Sequence, residues 1–121
     1  MGKAILIVDD SEMVRKILKF TLKSSGYNIL VAEDGNDALK NFDGRSIDLM
    51  ITDLHMPFKD GIELIHEMRS IKKYRFMPVV LFHSDAGTDA KRIIETSKAT
   101  ILFDKNSIRQ QLVPTITKLI A

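Results

Sequence analysis

Charged residues follow directly after several short apolar runs of the chain. Asp9 and Asp10 follow the run AILIV, Asp53 follows LMIT, and Lys105 comes soon after ILF. A run of this kind is typical of a buried parallel strand whose last residues emerge at the carboxyl edge of the sheet. Because open α/β folds bind ligands at that edge, we predict that these charges form a site there.

The alternation of apolar runs and amphipathic segments predicts the fold class. Five apolar runs are separated by segments with helical periodicity, which indicates βαβ units around a parallel sheet. The predicted strands are residues 4–8, 28–32, 48–52, 79–82 and 100–103. We therefore predict an α/β protein with a doubly wound, five-stranded parallel sheet that forms one domain over residues 1–121.

Four helices are predicted from apolar residues that recur at helical spacing. The first has an apolar face and stops near Ser24, Ser25 and Gly26; the face consists of Met13, Val14, Ile17, Leu18, Thr21 and Leu22. The second is opened by Asn36 and contains Ala38, Leu39 and Phe42. The third begins near Gly61 and runs to Ile71. The fourth has only Ile93 and Ile94, so we expect it to be less firmly docked than the others.

The last segment gives two conflicting signals, because Pro114 lies inside an otherwise helical pattern. Ile108, Leu112 and Ile116 keep a helical period, and residues 107–110 fit a capping box. Either the helix kinks at Pro114, or a new helix begins near Val113 with the proline in its first turn. We favour the kink, because the period runs through the proline without a change of phase.

Composition limits the partners and the compartment. The chain has 121 residues and a net charge of +2, with basic and acidic residues spread along it, so we expect no nucleic-acid partner. A basic group, Arg69, Lys72, Lys73 and Arg75, is expected to be a solvated helix end. The chain has no cysteine, and its first apolar run is too short for a signal or membrane segment. We therefore expect a cytoplasmic protein without a membrane partner.

The predicted sheet brings the polar residues at its strand ends to one crevice. These residues are Asp9, Asp10, Asp53, His83, Ser84 and Lys105. Taken singly they indicate little, since acids and serines are also ordinary helix N-caps. Together, three nearby carboxylates repel one another unless a cation lies between them. Oxygen ligands and the absence of cysteine favour magnesium over zinc, and the lysine can neutralise a phosphoryl group.

The same residues resemble the receiver domains of two-component response regulators, especially the chemotaxis (CheY-like) type. The resemblance is carried by ILIVDDS, by DLMITDLHMPFKDGIEL, by MPVVLF and by the lysine of ILFDK, and it covers essentially the whole chain. It implies a (βα)5 domain with the flavodoxin-like strand order 2-1-3-4-5.

The resemblance also implies roles for individual residues. Asp53 is implied as the phosphoacceptor for a histidine kinase, and Lys105 as the partner of the phosphoryl group. Asp10 is implied as a direct Mg²⁺ ligand, Asp9 as a ligand through water, and the backbone carbonyl of His55 as a further ligand. A downstream protein target is expected to bind the face formed by helix 4, strand 5 and helix 5.

Three positions depart from the family pattern. The family has a Thr or Ser hydroxyl where this chain has His83, followed by Ser84, and an aromatic residue where it has Leu102. Asn106 stands where the family generally has proline. His83 is either a partly buried residue satisfied by backbone bonds or a donor to the phosphoryl oxygens. His55 is either an exposed loop residue or a modulator of water access to Asp53.

Three functions compete at this point. The first is a receiver that accepts a phosphoryl group and signals by binding another protein; it is not an enzyme beyond slow phosphoryl transfer to itself and hydrolysis. The second is a degenerate receiver that acts as a constitutive interaction module, a possibility raised by His83 and Leu102. A hydrolase with an aspartyl nucleophile is disfavoured, because Asp53 lacks the second acid two residues later that such enzymes use.

Overall fold

One parallel sheet forms the centre of the molecule. The structure is a computed structural model that describes residues 2–84 and 87–121, except the side chain of Thr88. The strands are β1 (Ala4–Val8), β2 (Asn28–Ala32), β3 (Leu49–Asp53), β4 (Val79–His83) and β5 (Ile101–Asp104). They lie in the order β2-β1-β3-β4-β5, and each neighbouring pair is parallel. The predicted fold class and strand order are confirmed.

Helices follow the strands and cover both faces of the sheet. They are α1 (Glu12–Ser24), α2 (Gly35–Leu39), α3 (Gly61–Arg69), α4 (Ala90–Ser97) and α5 (Ile108–Ile120). Single 3₁₀ turns occupy Lys72–Tyr74, Gly87–Asp89 and Lys105–Ser107. The Ser11 hydroxyl caps α1 by accepting from the Val14 amide, and Asp60 caps α3 in a reciprocal box with Glu63.

Two apolar layers hold the helices to the sheet, because successive strand residues point to opposite faces. On one face, Leu6, Met50 and Leu81 pack with residues of α2 and α3, and the partly buried Ile93 and Ile94 of α4 join this layer. The other face packs against α1 and α5; its buried residues include Ile7, Ile51, Phe82, Phe103, Leu18 and Leu112. The rings of Phe82 and Phe103 stack with centroids 5.2 Å apart.

Several predicted boundaries shift by one or two residues. β3 begins at Leu49 and includes Asp53, while β4 and β5 each extend one residue further, to His83 and Asp104. The prediction that Asn36 opens α2 is wrong, because the Asp34 carboxylate accepts from the Asp37 amide and caps that helix. α3 ends at Arg69, so Ile71 lies beyond it.

α5 runs through Pro114 as one continuous helix, as the uninterrupted period indicates. The alternative, a new helix from Val113, is therefore wrong. The capping box predicted for residues 107–110 is also wrong, because Ser107 makes no side-chain capping bond. Asp104 instead accepts from the Asn106 amide and caps the preceding 3₁₀ turn.

The apolar face predicted for α1 is divided between core and surface. Leu18 and Leu22 are fully buried, but Met13, Ile17 and Phe20 form an exposed stripe along the helix. Met13 is 72% exposed and Phe20 is 76% exposed. We call Met13, Ile17 and Phe20 the α1 stripe. Met13 and Ile17 belong to the predicted apolar face and Phe20 does not; periodicity marks an apolar face but not what covers it.

Candidate functional site

The parallel ladder places the acidic residues side by side at the carboxyl edge of the sheet. Val8 pairs with Thr52 across β1 and β3. The next residue in each case, Asp9 after β1 and Asp53 at the end of β3, therefore lies beside the other. Carboxylate oxygens of Asp9, Asp10 and Asp53 all lie within 4.8 Å of one another. We call these three residues the acidic cluster. The predicted convergence of the carboxylates is present in the structure.

Lys105 reaches the acidic cluster from the end of β5. Its Nζ donates a 2.9 Å hydrogen bond to Asp53 Oδ2 and lies 3.5 Å from Asp9 Oδ2. Burial by itself lowers the pKa of Lys105, but the hydrogen bond to Asp53 and the charges of Asp53 and Asp9 outweigh that effect, so its pKa is raised. The ammonium is therefore charged at neutral pH and offsets part of the negative charge.

Asp9 is the deepest member of the acidic cluster. Only 1% of its surface is exposed, and its Oδ1 accepts a 2.9 Å hydrogen bond from the Ser11 amide. Its Oδ2 is buried without a hydrogen-bond partner, since the Lys105 contact is an ion pair too long for a well-formed hydrogen bond. Burial raises the pKa of Asp9, although the Ser11 amide and Lys105 oppose the shift. Within the described part of the chain, Asp9 Oδ2 therefore has an ion-pair partner in Lys105 but no hydrogen-bond donor.

Two further residues hold the backbone around the acids. Arg15 of α1 donates from its guanidinium to the Asp9 carbonyl at 2.6 Å. Gly61 packs so closely that a Cβ atom there would lie 2.4 Å from the Asp53 carbonyl oxygen. The predictions missed the role of Arg15, because nothing in its helical position indicates a backbone partner. The close approach at Gly61 likewise depends on how α3 meets β3.

His83 and its neighbours form a second part of the site, which we call the relay side: His83, Ser84 and Leu102. His83 ends β4 beside Asp104 of β5 and is half-buried, and its buried Nδ1 has no hydrogen-bond partner among the described residues. No backbone group in residues 2–84 and 87–121 satisfies that nitrogen. Ser84 is exposed, and Leu102 packs partly buried against the layer that contains α3 and α4.

Two further predictions concern the turn at Asn106 and the loop 83–88. No cis peptide bond occurs within residues 2–84 and 87–121, so the turn at Asn106 takes the ordinary form. We expect the loop 83–88 to move when a phosphoryl group binds at the site. Asp85 and Ala86 of this loop lie outside the described residues.

The loop after β3 borders the acidic cluster. The His55 side chain is exposed, as the first of its two interpretations predicts. Beyond it the Lys59 amide donates to the Pro57 carbonyl at 2.8 Å around Phe58, whose φ is +70°. This is a γ-turn in a strained backbone region, and it leaves Phe58 90% exposed.

The residues present fit a hard divalent cation. The acidic cluster offers oxygen ligands only, which is the ligand type that Mg²⁺ prefers. The unmatched Oδ2 of Asp9 is a buried anionic oxygen for which a cation supplies the missing partner. Chemically, a nucleophilic carboxylate beside a lysine and a cation site is suited to phosphoryl transfer, which needs positioning and charge neutralisation.

Comparison with known proteins agrees with this geometry. The family model for the response regulator receiver domain matches residues 5–117. A curated relative, the alkaline phosphatase synthesis transcriptional regulatory protein PhoP of Bacillus subtilis, is 40% identical over 72 residues. That match covers 60% of this chain and 30% of the relative, so the chain spans less than a third of that regulator.

Solved structures resemble the molecule over nearly its full length. The chemotaxis protein CheY4 of Vibrio cholerae has a TM-score of 0.92 and 27% identity, covering 99% of this chain and all of that one. The response regulator TrrA of Thermotoga maritima, in complex with Mg²⁺ and beryllofluoride, has a TM-score of 0.83 and 33% identity. That match covers 98% of this chain and 99% of TrrA.

Proposed function

Because the chain belongs to the family of response regulator receiver domains, we propose that it accepts a phosphoryl group on Asp53 from a histidine kinase. The observation that carries this proposal is the contact of Asp53 Oδ2 with Lys105 Nζ at 2.9 Å inside the acidic cluster. Asp53 is the member of that cluster that both ends a central strand and pairs with the lysine. The family match to two-component signalling supports the donor class.

In the proposed reaction a carboxylate oxygen of Asp53 attacks the phosphorus of a phosphohistidine. An O–P bond forms, the P–N bond breaks, and the leaving imidazole takes up a proton to become neutral. Lys105 neutralises phosphoryl oxygens on one side of the group. The product is an acyl phosphate, and water hydrolyses it slowly to inorganic phosphate and free Asp53.

We propose Mg²⁺ as the cofactor, held by Asp10 directly, by Asp9 through water, by Asp53 and by the backbone carbonyl of His55. When bound, the ion would neutralise phosphoryl oxygens and the repulsion among the carboxylates. The unmatched Asp9 oxygen and the all-oxygen ligand set support this assignment. The TrrA relative in complex with Mg²⁺ and beryllofluoride provides a precedent in a protein of the same fold.

We further propose that the α1 stripe receives the kinase. Met13, Ile17 and Phe20 form an exposed apolar line, and Ile17 borders the same surface hollow as Lys105 and Arg109. The stripe therefore lies beside the lysine that contacts Asp53. An exposed apolar helix face is suited to packing against a partner helix, which would bring a phosphohistidine to the site entrance.

Signalling would then occur through protein binding. We propose that a downstream target binds the face formed by α4, β5 and α5, and that His83 donates to the phosphoryl oxygens in place of the missing hydroxyl. The unpartnered Nδ1 of His83 supports this second point. We place the chain in the cytoplasm, as one domain without enzymatic turnover of an external substrate. Among the described residues, no helix is both long and apolar enough to cross a membrane.

A degenerate receiver is the second candidate function. The observation in its favour is Leu102, because a leucine packed against the α3 and α4 layer offers no polar group for a switch. The acidic cluster and Lys105 are intact, so this candidate concerns switching rather than phosphoryl acceptance.

Intact mass after exposure to acetyl phosphate and Mg²⁺ tests the proposal. We expect the parent chain to gain one phosphoryl group and Asp53→Asn to gain none. Asp89→Asn is a matched control, because Asp89 is an exposed carboxylate paired with Arg92 outside the acidic cluster. Labelling that persists in Asp53→Asn would contradict the assignment of the acceptor, and an unlabelled parent would contradict phosphoryl acceptance itself.

A further inference from the structure

A second surface lies at the opposite edge of the sheet from Asp53. The segment from Lys72 to Phe76 precedes β4, so it lies at the amino edge, whereas the acidic cluster lies at the carboxyl edge. Phe76 is 90% exposed, and Lys72, Lys73 and Arg75 beside it are exposed as well. We call these four residues the basic loop.

Buried side chains and hydrogen bonds hold the backbone of the basic loop in place. Tyr74 is buried and its hydroxyl donates to the Arg45 carbonyl at 2.7 Å, while Met77 is buried in the core. The Arg69 guanidinium donates to the Arg75 carbonyl at 2.8 Å and to the Met77 carbonyl at 3.0 Å, thus bracketing Phe76. Arg69 was predicted to be part of a solvated cluster; it is instead a half-buried brace, and burial lowers its pKa.

The segment that carries Phe76 is basic. Residues 69–76 contain four basic and no acidic residues. Lys98, exposed at the end of α4, adds a further cation, because its carbonyl accepts from Arg69 at 3.1 Å. The nearby Asp43 is already paired with Arg45, which lowers its pKa to about 2. The loop is therefore complementary to an anionic partner.

The shape of the basic loop fits the extended surface of an anionic bilayer better than it fits a polynucleotide. Single-stranded nucleic acids bind in basic grooves that hold bases against stacked rings. Phe76 instead stands out from a tight turn with nearly all of its surface free. A protruding apolar ring surrounded by cations matches the interface of an anionic bilayer, where the ring enters the acyl boundary and the cations meet the headgroups.

From this combination, we propose that the basic loop is a contact site for an anionic phospholipid surface. Each cation near such a surface raises partitioning about fivefold, and burial of a phenylalanine ring adds about a further tenfold or more. Together, the three cations and the ring would raise partitioning about a thousandfold over a chain without them, an enhancement that leaves binding reversible. The site is independent of Asp53 and revises the expectation that the chain has no membrane partner.

Vesicle sedimentation with the full chain tests this proposal. Vesicles of phosphatidylglycerol and phosphatidylcholine are compared with vesicles of phosphatidylcholine alone, at low and high salt. We expect binding to the anionic vesicles only, lost at high salt, with about a tenfold loss for Phe76→Ser and about 25-fold for Lys72→Gln with Arg75→Gln. Phe58→Ser, equally exposed at the other edge, and Lys19→Gln with Lys23→Gln are matched controls that should bind like the parent.

Three results would overturn the proposal. They are equal binding to neutral vesicles, an equal effect of Phe76→Ser and Phe58→Ser, and binding of a single-stranded oligonucleotide through the basic loop without vesicle binding. Because all altered side chains are exposed, thermal unfolding should show each variant to be folded. Asp53→Asn should bind vesicles like the parent, so this test and that of the phosphoacceptor can fail separately.

Discussion

The acidic cluster and the relay side lie at the same sheet edge but differ in how completely their polar groups are matched. In the cluster, Asp53 is paired with Lys105 at 2.9 Å and the Asp9 backbone is held by Arg15. On the relay side, no described residue pairs with the buried Nδ1 of His83, and Leu102 provides only apolar packing. The groups proposed to accept a phosphoryl group are thus in contact with one another, whereas those proposed to relay it are not.

Acceptance and relay are therefore separate parts of the proposed function. Acceptance would depend on Asp9, Asp53 and Lys105, where the lysine offsets the repulsion between the two carboxylates without any movement. A relay needs contacts that differ between two states, and a leucine gains no polar contact when a phosphoryl group binds.

Removal of Asp10 should have the largest effect. We expect Asp10→Ala to lower Mg²⁺ affinity at least about 100-fold, because a direct ligand is lost, and Asp9→Ala to lower it about tenfold as a ligand through water. Calorimetric titration with Mg²⁺ measures both, and Asp89→Ala is the control. If both variants bind Mg²⁺ like the parent, the acidic cluster is not the metal site.

A methyl group at Gly61 should disturb the backbone of Asp53 in the acidic cluster. Gly61→Ala places Cβ 2.4 Å from the Asp53 carbonyl oxygen, so we expect the free energy of unfolding to fall by about 2 kcal/mol. Gly35→Ala is the comparison, since its nearest contacts are side-chain atoms of Lys59 at 2.8–3.1 Å rather than backbone, and we expect a smaller loss of about 1 kcal/mol. Urea unfolding compares the two, and equal losses would refute the close-approach argument.

The buried charge of Asp9 should make stability depend on pH. Its raised pKa means that the folded state holds the proton more tightly than the unfolded chain. This contribution is therefore present below the ordinary carboxyl pKa of 3.8 and is lost as the pH rises through the folded pKa. Without Mg²⁺ at pH 7, we expect Asp9→Asn to be about 1 kcal/mol more stable than the parent. The gain should shrink towards pH 4 and with saturating Mg²⁺; a gain that is constant with pH would contradict the prediction.

The relay side should give the smallest effect. Beryllofluoride with Mg²⁺, a stable mimic of the phosphoryl group, should shift amide resonances of residues 83–88 and α4, and His83→Ala should reduce those shifts. Leu102→Ala is the control, because no polar contact is removed. Shifts that are confined to the surroundings of Asp53 and unaffected by His83→Ala would describe a phosphoacceptor without an internal relay.

Much of the fold and of the site could be predicted because the signals are local. A five-residue apolar run such as AILIV indicates that both faces of its strand are buried, and the residue after it must emerge at the sheet edge. The apolar runs alone thus predicted that Asp9, Asp53 and Lys105 share one crevice. The helix period through Pro114 likewise predicted one continuous segment.

The order of the elements and the identity of the charges at the sheet edge follow from the sequence alone, since both depend on periodicity within short segments. Which side chains contact one another depends on the tertiary fold. It left the α1 stripe uncovered, drew Arg15 to the Asp9 carbonyl and Arg69 to the carbonyls around Phe76, and left Oδ2 of Asp9 unmatched. These contacts join elements far apart in the chain or depend on packing distances of a few ångströms, and no local pattern of residues encodes either.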